Sequence, residues 1–266
     1  IDKYTFGSSA NATDHGDLTT TKRAATGNSS ATEGFTSGGN GSLYYNIIDK
    51  FTFASTGNAT DHGDLSAEQG YGAASSSYTD GYIAGGWGPS PAGDLSNIEK
   101  FAFASNVTAT SHGDLQSIRY NASGSSSPTH GFSAGGFQTS IADRINVIDK
   151  FAFASNVTAA DHGDISVTRN QLTGHSSDTH GYNAGGNGNV DVIDKFAYST
   201  NVTSTDHGNL SVGRLAPSGT SSTTHGYCAG GAGTSNIIDK FAYSSNTTAT
   251  DHGDLTVGRE RASSEG

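Results

Sequence analysis

The sequence predicts an all-β fold, a six-bladed β-propeller that occupies residues 1–266 as a single domain. Three observations carry this. One unit recurs six times, no stretch has helical periodicity, and each unit holds a strand with one aromatic and one slim face.

The unit is marked by I-[DE]-K-[FY]-[AT]-[FY], beginning at Ile1, Ile48, Ile98, Ile148, Ile193 and Ile238 with spacings of 47, 50, 50, 45 and 45 residues. Each copy continues through Asn-x-Thr into H-G-[DN]-[LI], with its histidine at His15, His62, His112, His162, His207 and His252. A basic residue follows four positions after that Leu or Ile, as Lys22, Arg119, Arg169, Arg214 and Arg259, with Gln69 the exception. A Ser-rich stretch then leads into G-[YF]-x-[AS]-G-G, whose diglycines end at Gly39, Gly86, Gly136, Gly186 and Gly231. Short β-prone runs bounded by Gly, Ser, Asn and Asp recur about every ten residues, which gives four strands per unit. In the clearest of them, Asp49, Phe51 and Phe53 alternate with Ile48, Lys50, Thr52 and Ala54. The Phe side of one sheet fills the small-residue side of the next, and radial repetition of such sheets leaves few open edges.

If each blade ends at H-G-[DN]-[LI], five complete four-stranded blades span about 19–65, 66–115, 116–165, 166–210 and 211–255. The sixth is expected to be split between the two termini, with residues 256–266 starting its first strand and 1–18 supplying its last two. No G-[YF]-x-A-G-G copy belongs to that set, so the corresponding strand is expected from further chain or from a neighbouring molecule. A start at Ile1 inside a repeat, in a chain with no Met, reads as a processed or partial polypeptide.

Composition narrows the function classes. The chain has 37 Gly and only 4 Pro, which suits many tight turns. Its net charge of −11 gives no clustered Lys and Arg for phosphate backbones or anionic lipid, so neither nucleic acid nor membrane insertion is expected. No apolar run approaches the roughly 20 residues of a membrane helix. The single cysteine, Cys228, forms no internal disulfide.

The order of basic residue, Ser-rich strand, G-[YF]-x-A-G-G and I-D-K-F-x-F resembles the kelch repeat over essentially the whole chain. That resemblance implies a diglycine ending the second strand and an aromatic on the third. Every copy lacks the Trp that the kelch pattern carries on its fourth strand, and the one tryptophan, Trp87, lies elsewhere. The wording N-A-T-D-H-G-D-L-T-V-x-R with S-S-x-T-H-G-Y is also similar to tandem repeats of tail-fibre-like proteins from marine and cyanobacterial phages.

Residues that recur in each blade read as structural. The H-G-[DN]-[LI] histidines are expected to brace turns, because equivalent positions diverge around a wheel by far more than a metal–ligand distance. Neither a metal, a cofactor nor a catalytic set is expected. The adjacent Tyr227 and Cys228 invite comparison with kelch-like copper radical oxidases, but no inserted loop supplies further ligands. The I-D-K lysines, including Lys50, Lys100, Lys150 and Lys195, are expected to pair with aspartates of the D-H-G-D turn such as Asp64 or Asp164. Asn11, Asn58, Asn106, Asn156, Asn201 and Asn246 match the N-glycosylation acceptor; turn chemistry between the third and fourth strands is the preferred reading.

Recognition is expected where blades differ, in the loops after the diglycines, with Trp87, Phe137 and Asn187 as candidate contact residues. The function expected is a non-enzymatic structural or adhesive module of a virion or cell surface, whose partners are copies of itself or other surface proteins. The alternative is a lectin-like propeller that binds glycans through those loops.

Overall fold

The structure is a computed structural model and describes residues 1–233 and 235–263. Two short strands come first, β1 (Asp2–Lys3) and β2 (Thr13–Asp14), paired with each other as a two-stranded ribbon. The first blade is β3 (Thr26–Ser29), β4 (Glu33–Ser37), β5 (Ile47–Thr52) and β6 (Thr60–Asp64). The second is β7 (Ala73–Ser76), β8 (Asp80–Gly88), β9 (Gly93–Ala102) and β10 (Thr110–Asp114). The third joins β11 (Ser123–Ser126) and β12 (His130–Ala134) to β15 (Val147–Ala152) and β16 (Ala160–Asp164). A small hairpin, β13 (Phe137–Gln138) with β14 (Asp143–Arg144), interrupts it. The fourth is β17 (Thr173–Ser176), β18 (His180–Ala184), β19 (Val192–Ala197) and β20 (Thr205–Asn209). The fifth is β21 (Ser218–Ser221), β22 (His225–Ala229), β23 (Ile237–Ala242) and β24 (Thr250–Asp254). All pairings are antiparallel, in sequence order from the innermost strand outward.

The all-β propeller reading holds, but the blade count is corrected: the propeller has five four-stranded blades, not six. Residues 1–18 give only the β1–β2 ribbon, and residues 256–263 form no strand. Residues 264–266 of the expected sixth blade lie outside the described residues, as does Thr234 in the last variable loop. The physical reason is strand supply. A four-stranded sheet needs a second strand to hydrogen-bond the free edge of the third, and the described residues hold no G-[YF]-x-A-G-G segment for β1.

Innermost strands of successive blades touch, β3 with β7, β7 with β11, β11 with β17 and β17 with β21. Small residues make this approach possible: a Cβ at Gly124 would lie 1.9 Å from the carbonyl oxygen of Ala74 in the preceding blade. Serines tie these strands together, with the N–H of Ser76 donating to Ser126 Oγ at 2.8 Å and that of Ser126 to Ser176 Oγ at 2.9 Å. At the hub, Tyr71 N–H donates to Ala24, Asn121 to Tyr71, Gln171 to Asn121, Ala216 to Gln171 and Arg261 to Ala216, over 2.8–3.1 Å. Ala24 N–H donates to Arg261 and closes the circle. The hub therefore has six links although five positions carry four strands.

The core lies between blades. Phe132, Ile148 and Ile165 of the third blade pack with Phe196 and Tyr198 of the fourth, and the pattern recurs at the other three junctions between complete blades. Burying each such aromatic contributes roughly 1.5–3 kcal/mol. The H-G motif forms a bulge: opposite Val147–Asp149, strand β16 uses one residue more between Asp161 and Asp164. Gly163 takes φ +104° there, and a Cβ would sit 2.4 Å from Val202 of the next blade.

Candidate functional site

The repeated polar residues are committed to the scaffold. Each H-G histidine is buried, and its ring nitrogen Nε2 meets a main-chain oxygen of the following sheet. His62 donates to Ala102 at 3.0 Å, His112 to Ala152 at 2.9 Å, His162 to Ala197 at 2.9 Å and His207 to Ala242 at 2.9 Å. His15 reaches Thr52 and His252 reaches Thr5, so the ribbon is held on both sides in the same manner. A carbonyl acceptor requires the Nε2–H tautomer. These are struts between sheets rather than braces within one turn. Burial lowers the pKa of His162 and His207, which favours the neutral ring the bond uses. The second set, His130, His180 and His225, opens strand β12, β18 or β22, each bonded through Nδ1 to the preceding threonine at 2.8 Å.

The basic residue after each H-G-[DN]-[LI] meets the Asp of I-D-K within its own blade. The pairs are Lys22–Asp49 at 3.0 Å, Arg119–Asp149 at 2.8 Å, Arg169–Asp194 at 2.5 Å and Arg214–Asp239 at 2.8 Å, with side chains at most 4% exposed. Desolvation pushes Asp149 up and Arg119 down, each opposed by its partner's charge. Blade two changes both members, with Gln69 in place of the base and Glu99 in place of Asp. Glu99 keeps the backbone bond of this position, accepting the N–H of Ser66 at 2.9 Å as Asp149 does that of Gln116 and Asp239 that of Ser211. The co-occurrence of those two exceptions was the signal in the sequence for this pairing.

Among the described residues the I-D-K lysines do not take the D-H-G-D aspartates. Lys50 pairs with Glu33 and Lys100 with Asp80, each at 3.4 Å, at the start of the neighbouring strand. Lys100 and Lys150 lie 5.8 Å from the ring centres of Tyr82 and Phe132, a cation–π distance. Lys195 adds to the burial that lowers His180 and His207.

The Asn-x-Thr side chains are exposed, and their amides reach the preceding sheet. Asn156 donates to Ser111 at 3.1 Å, Asn201 to Asp161 at 3.0 Å and Asn246 to Asp206 at 3.2 Å. Asn11 and Asn58 accept the N–H of Asp254 and Asp17 at 3.1 and 3.0 Å. Asn106 is exposed in the equivalent loop between β9 and β10.

Blade-specific chemistry gathers on the opposite face, where the loops after the diglycines meet the entries to the innermost strands. Trp87 stands 5.1 Å from Tyr120 edge to face, Tyr120 is 5.6 Å from Phe137, and Tyr71 is 6.2 Å from Tyr120. All four rings are half-buried. Tyr120 was not singled out in the sequence, yet it lies at the middle of this row. Asp94 ties two of the loops by accepting from the Thr139 hydroxyl at 2.7 Å. Asn187 occupies the position after its diglycine equivalent to Trp87 and Phe137, with its N–H on Asn170 at 2.8 Å.

A second feature is a cavity of about 490 Å³ beside the ribbon, lined by Ile1, Tyr4, His15, Leu18, Phe53 and Arg259 among others. It lies between β1 and the first and fifth blades. The described residues contain no group of three or more His, Cys, Asp or Glu placed to hold a metal ion. Cys228 is fully buried and burial pushes its thiol up to about 12, so it is not a thiolate near neutral pH. No helix is long and apolar enough to cross a membrane. Compared with known proteins, the chain matches no family model and no curated sequence.

Proposed function

We propose that the protein is a non-enzymatic structural or adhesive module of a virion, as part of a tail fibre or surface appendage, or of another extracellular assembly. It acts through protein–protein or receptor contacts, with copies of itself or other surface proteins as partners. The observation that carries this is the division of labour between faces. Histidines and asparagines repeat and bridge neighbouring sheets, and the buried ion pairs recur inside blades, whereas the half-buried row of Tyr71, Trp87, Tyr120 and Phe137 belongs to two blades only. Aromatics of this kind dominate contact energetics. The kelch-like order of motifs and the fibre-like wording of the repeat support the same reading.

Imaging of the native assembly at side-chain resolution tests it. Neighbouring copies or a receptor are expected to cover the Trp87–Tyr120–Phe137 row, and Trp87→Ala with Phe137→Ala is expected to release the contact while the fold persists. A row open to solvent in every assembly would overturn the reading.

A glycan-binding alternative is favoured by the same rings, because planar aromatics beside polar groups such as Asn40, which donates to the Tyr71 hydroxyl at 3.4 Å, suit a sugar face. Glycan-array binding that disappears on Trp87→Ala would select it.

A further inference from the structure

Five junctions of the wheel share one construction. The aromatic on the second strand of a blade, Phe35, Tyr82, Phe132, Tyr182 or Tyr227, stacks on an aromatic of the next sheet at 4.5–4.7 Å. The same ring meets its own blade's H-G histidine at 4.9–5.1 Å. The glycine before that ring lies against the Phe of the adjacent strand, as Gly131 lies against Phe151. The next residues cover the Ile of I-D-K, as Ala134 opposite Ile148 does.

At the ribbon the receiving half of this construction is present. His15 and Phe53 face the cavity as the histidine and the stacking ring do elsewhere. Ile1 and Leu18 are half-buried, whereas their five counterparts of each kind are buried. Arg259 pairs with Asp2 at 3.0 Å but its side chain is 37% exposed. Its counterpart Arg214 is enclosed and donates Nη1 to Gly230 at 3.2 Å, on the end of the second strand. β1 pairs with β2 along one edge, and its other edge borders the cavity.

We propose that this cleft captures one extended strand of a partner polypeptide, laid antiparallel along β1, that reads Gly, then Phe or Tyr, then a residue that varies, then Ala or Ser. In the register of the complete blades the glycine stands opposite Tyr4, the aromatic opposite Lys3, the variable residue opposite Asp2 and Ala or Ser opposite Ile1. Glycine is required because a Cβ there would enter the ring of Tyr4, as it would enter Phe151 at 2.2 Å from Gly131. The aromatic enters between His15 and Phe53, and a partner carbonyl takes a guanidinium N–H of Arg259. Main-chain bonding gives affinity and these alternate side chains give selectivity, the logic of β-augmentation. The inference rests on the protein-contact reading above only in taking a polypeptide as ligand.

The test uses a fluorescent synthetic peptide with the sequence of residues 177–187, and versions of it carrying Gly181→Leu or Tyr182→Ser. Anisotropy is expected to show saturable binding of the parent peptide, weakened at least tenfold by either change. Arg259→Ala in the protein is expected to weaken the parent about fivefold, with an unchanged far-ultraviolet circular dichroism spectrum. Hydrogen exchange is expected to slow at residues 1–6 on binding. Equal binding of all three peptides, or none below millimolar concentration, would overturn the proposal. The Trp87→Ala, Phe137→Ala protein is expected to bind the peptide normally, which separates failure of the cleft from failure of the aromatic row.

Discussion

The N–H of Ala24 donates to the carbonyl oxygen of Arg261 at 2.9 Å, so residues near opposite ends of the chain are adjacent links of one hub. Six residues complete that circle, and all six, Ala24, Tyr71, Asn121, Gln171, Ala216 and Arg261, hold positive φ between 52° and 62°. The left-handed turn is what aims each N–H at one neighbour and each carbonyl at the other.

Removing residues 259–266 takes away Arg261 and the Arg259–Asp2 pair together. Among the described residues, four main-chain hydrogen bonds, two at Arg261 and two at Arg259, and one partly exposed ion pair are lost, about 2–4 kcal/mol in all. The melting temperature is expected to fall by roughly 5–10 °C in calorimetry. No change would mean that the hub does not act as a closure.

Ala216→Gly relieves a left-handed alanine, with φ 52°, without touching the hydrogen bond. Chemical denaturation is expected to show a gain of about 0.5–1 kcal/mol, the left-handed penalty less the extra chain entropy of glycine. Ala216→Pro abolishes both the turn and the N–H donor, and is expected to give little folded protein.

The buried pair Arg169–Asp194 is expected to be costly to break and cheap to replace as a unit. Arg169→Met leaves a buried carboxylate without its partner and is expected to cost about 3–5 kcal/mol. Arg169→Met with Asp194→Leu removes both charges and is expected to recover most of that loss. Additive losses in the cycle would refute coupling between the two groups.

Much of the fold was legible because the repeat supplies its own internal comparison. Diglycines, the I-D-K strand and the bulged H-G motif each fall where the periodicity put them. The blade count was not, since a sum of sequence pieces does not show whether β1 finds a hydrogen-bonding partner on its inner edge. The ion pairs were missed for a related reason. Lys50 and Asp64 belong to adjacent strands, but Lys50 lies opposite Thr60 and contacts Glu33, while Asp49 beside it points inward to Lys22. Trp87 and Phe137 stood out as blade-specific, but Tyr120 joins them only through contact between consecutive blades.

His175 is fully buried, with Nδ1–H on the Thr220 carbonyl at 3.0 Å, and desolvation lowers its pKa from 6.5 to about 4. The unfolded chain therefore binds the proton more readily than the folded one. This group's contribution is complete above about pH 6.5 and is lost as pH falls toward 4, by about 2 kcal/mol at pH 5. His175→Ser, which copies Ser125 of the preceding blade, is expected to flatten the stability profile between pH 7 and 5 by that amount. Urea titrations at the two pH values measure it, and parallel profiles would contradict the assignment.

Gly131 faces Phe151 so closely that a Cβ would stand 2.2 Å from the tip of the ring, and Phe151 is itself wedged against Tyr82 of the preceding blade at 5.8 Å between centres. The ring has nowhere to retreat, because the same junction also holds Phe153 and Leu115. Gly131→Ala is expected to destabilise by about 1–3 kcal/mol, the range for overpacking a filled core. Phe151→Leu opens a cavity of its own and is expected to cost about 1 kcal/mol. Together they are expected to cost less than their sum, because the alanine methyl occupies the space the ring leaves. A double variant as destabilised as the two single ones added would show that the glycine is needed for backbone conformation and not to receive the ring.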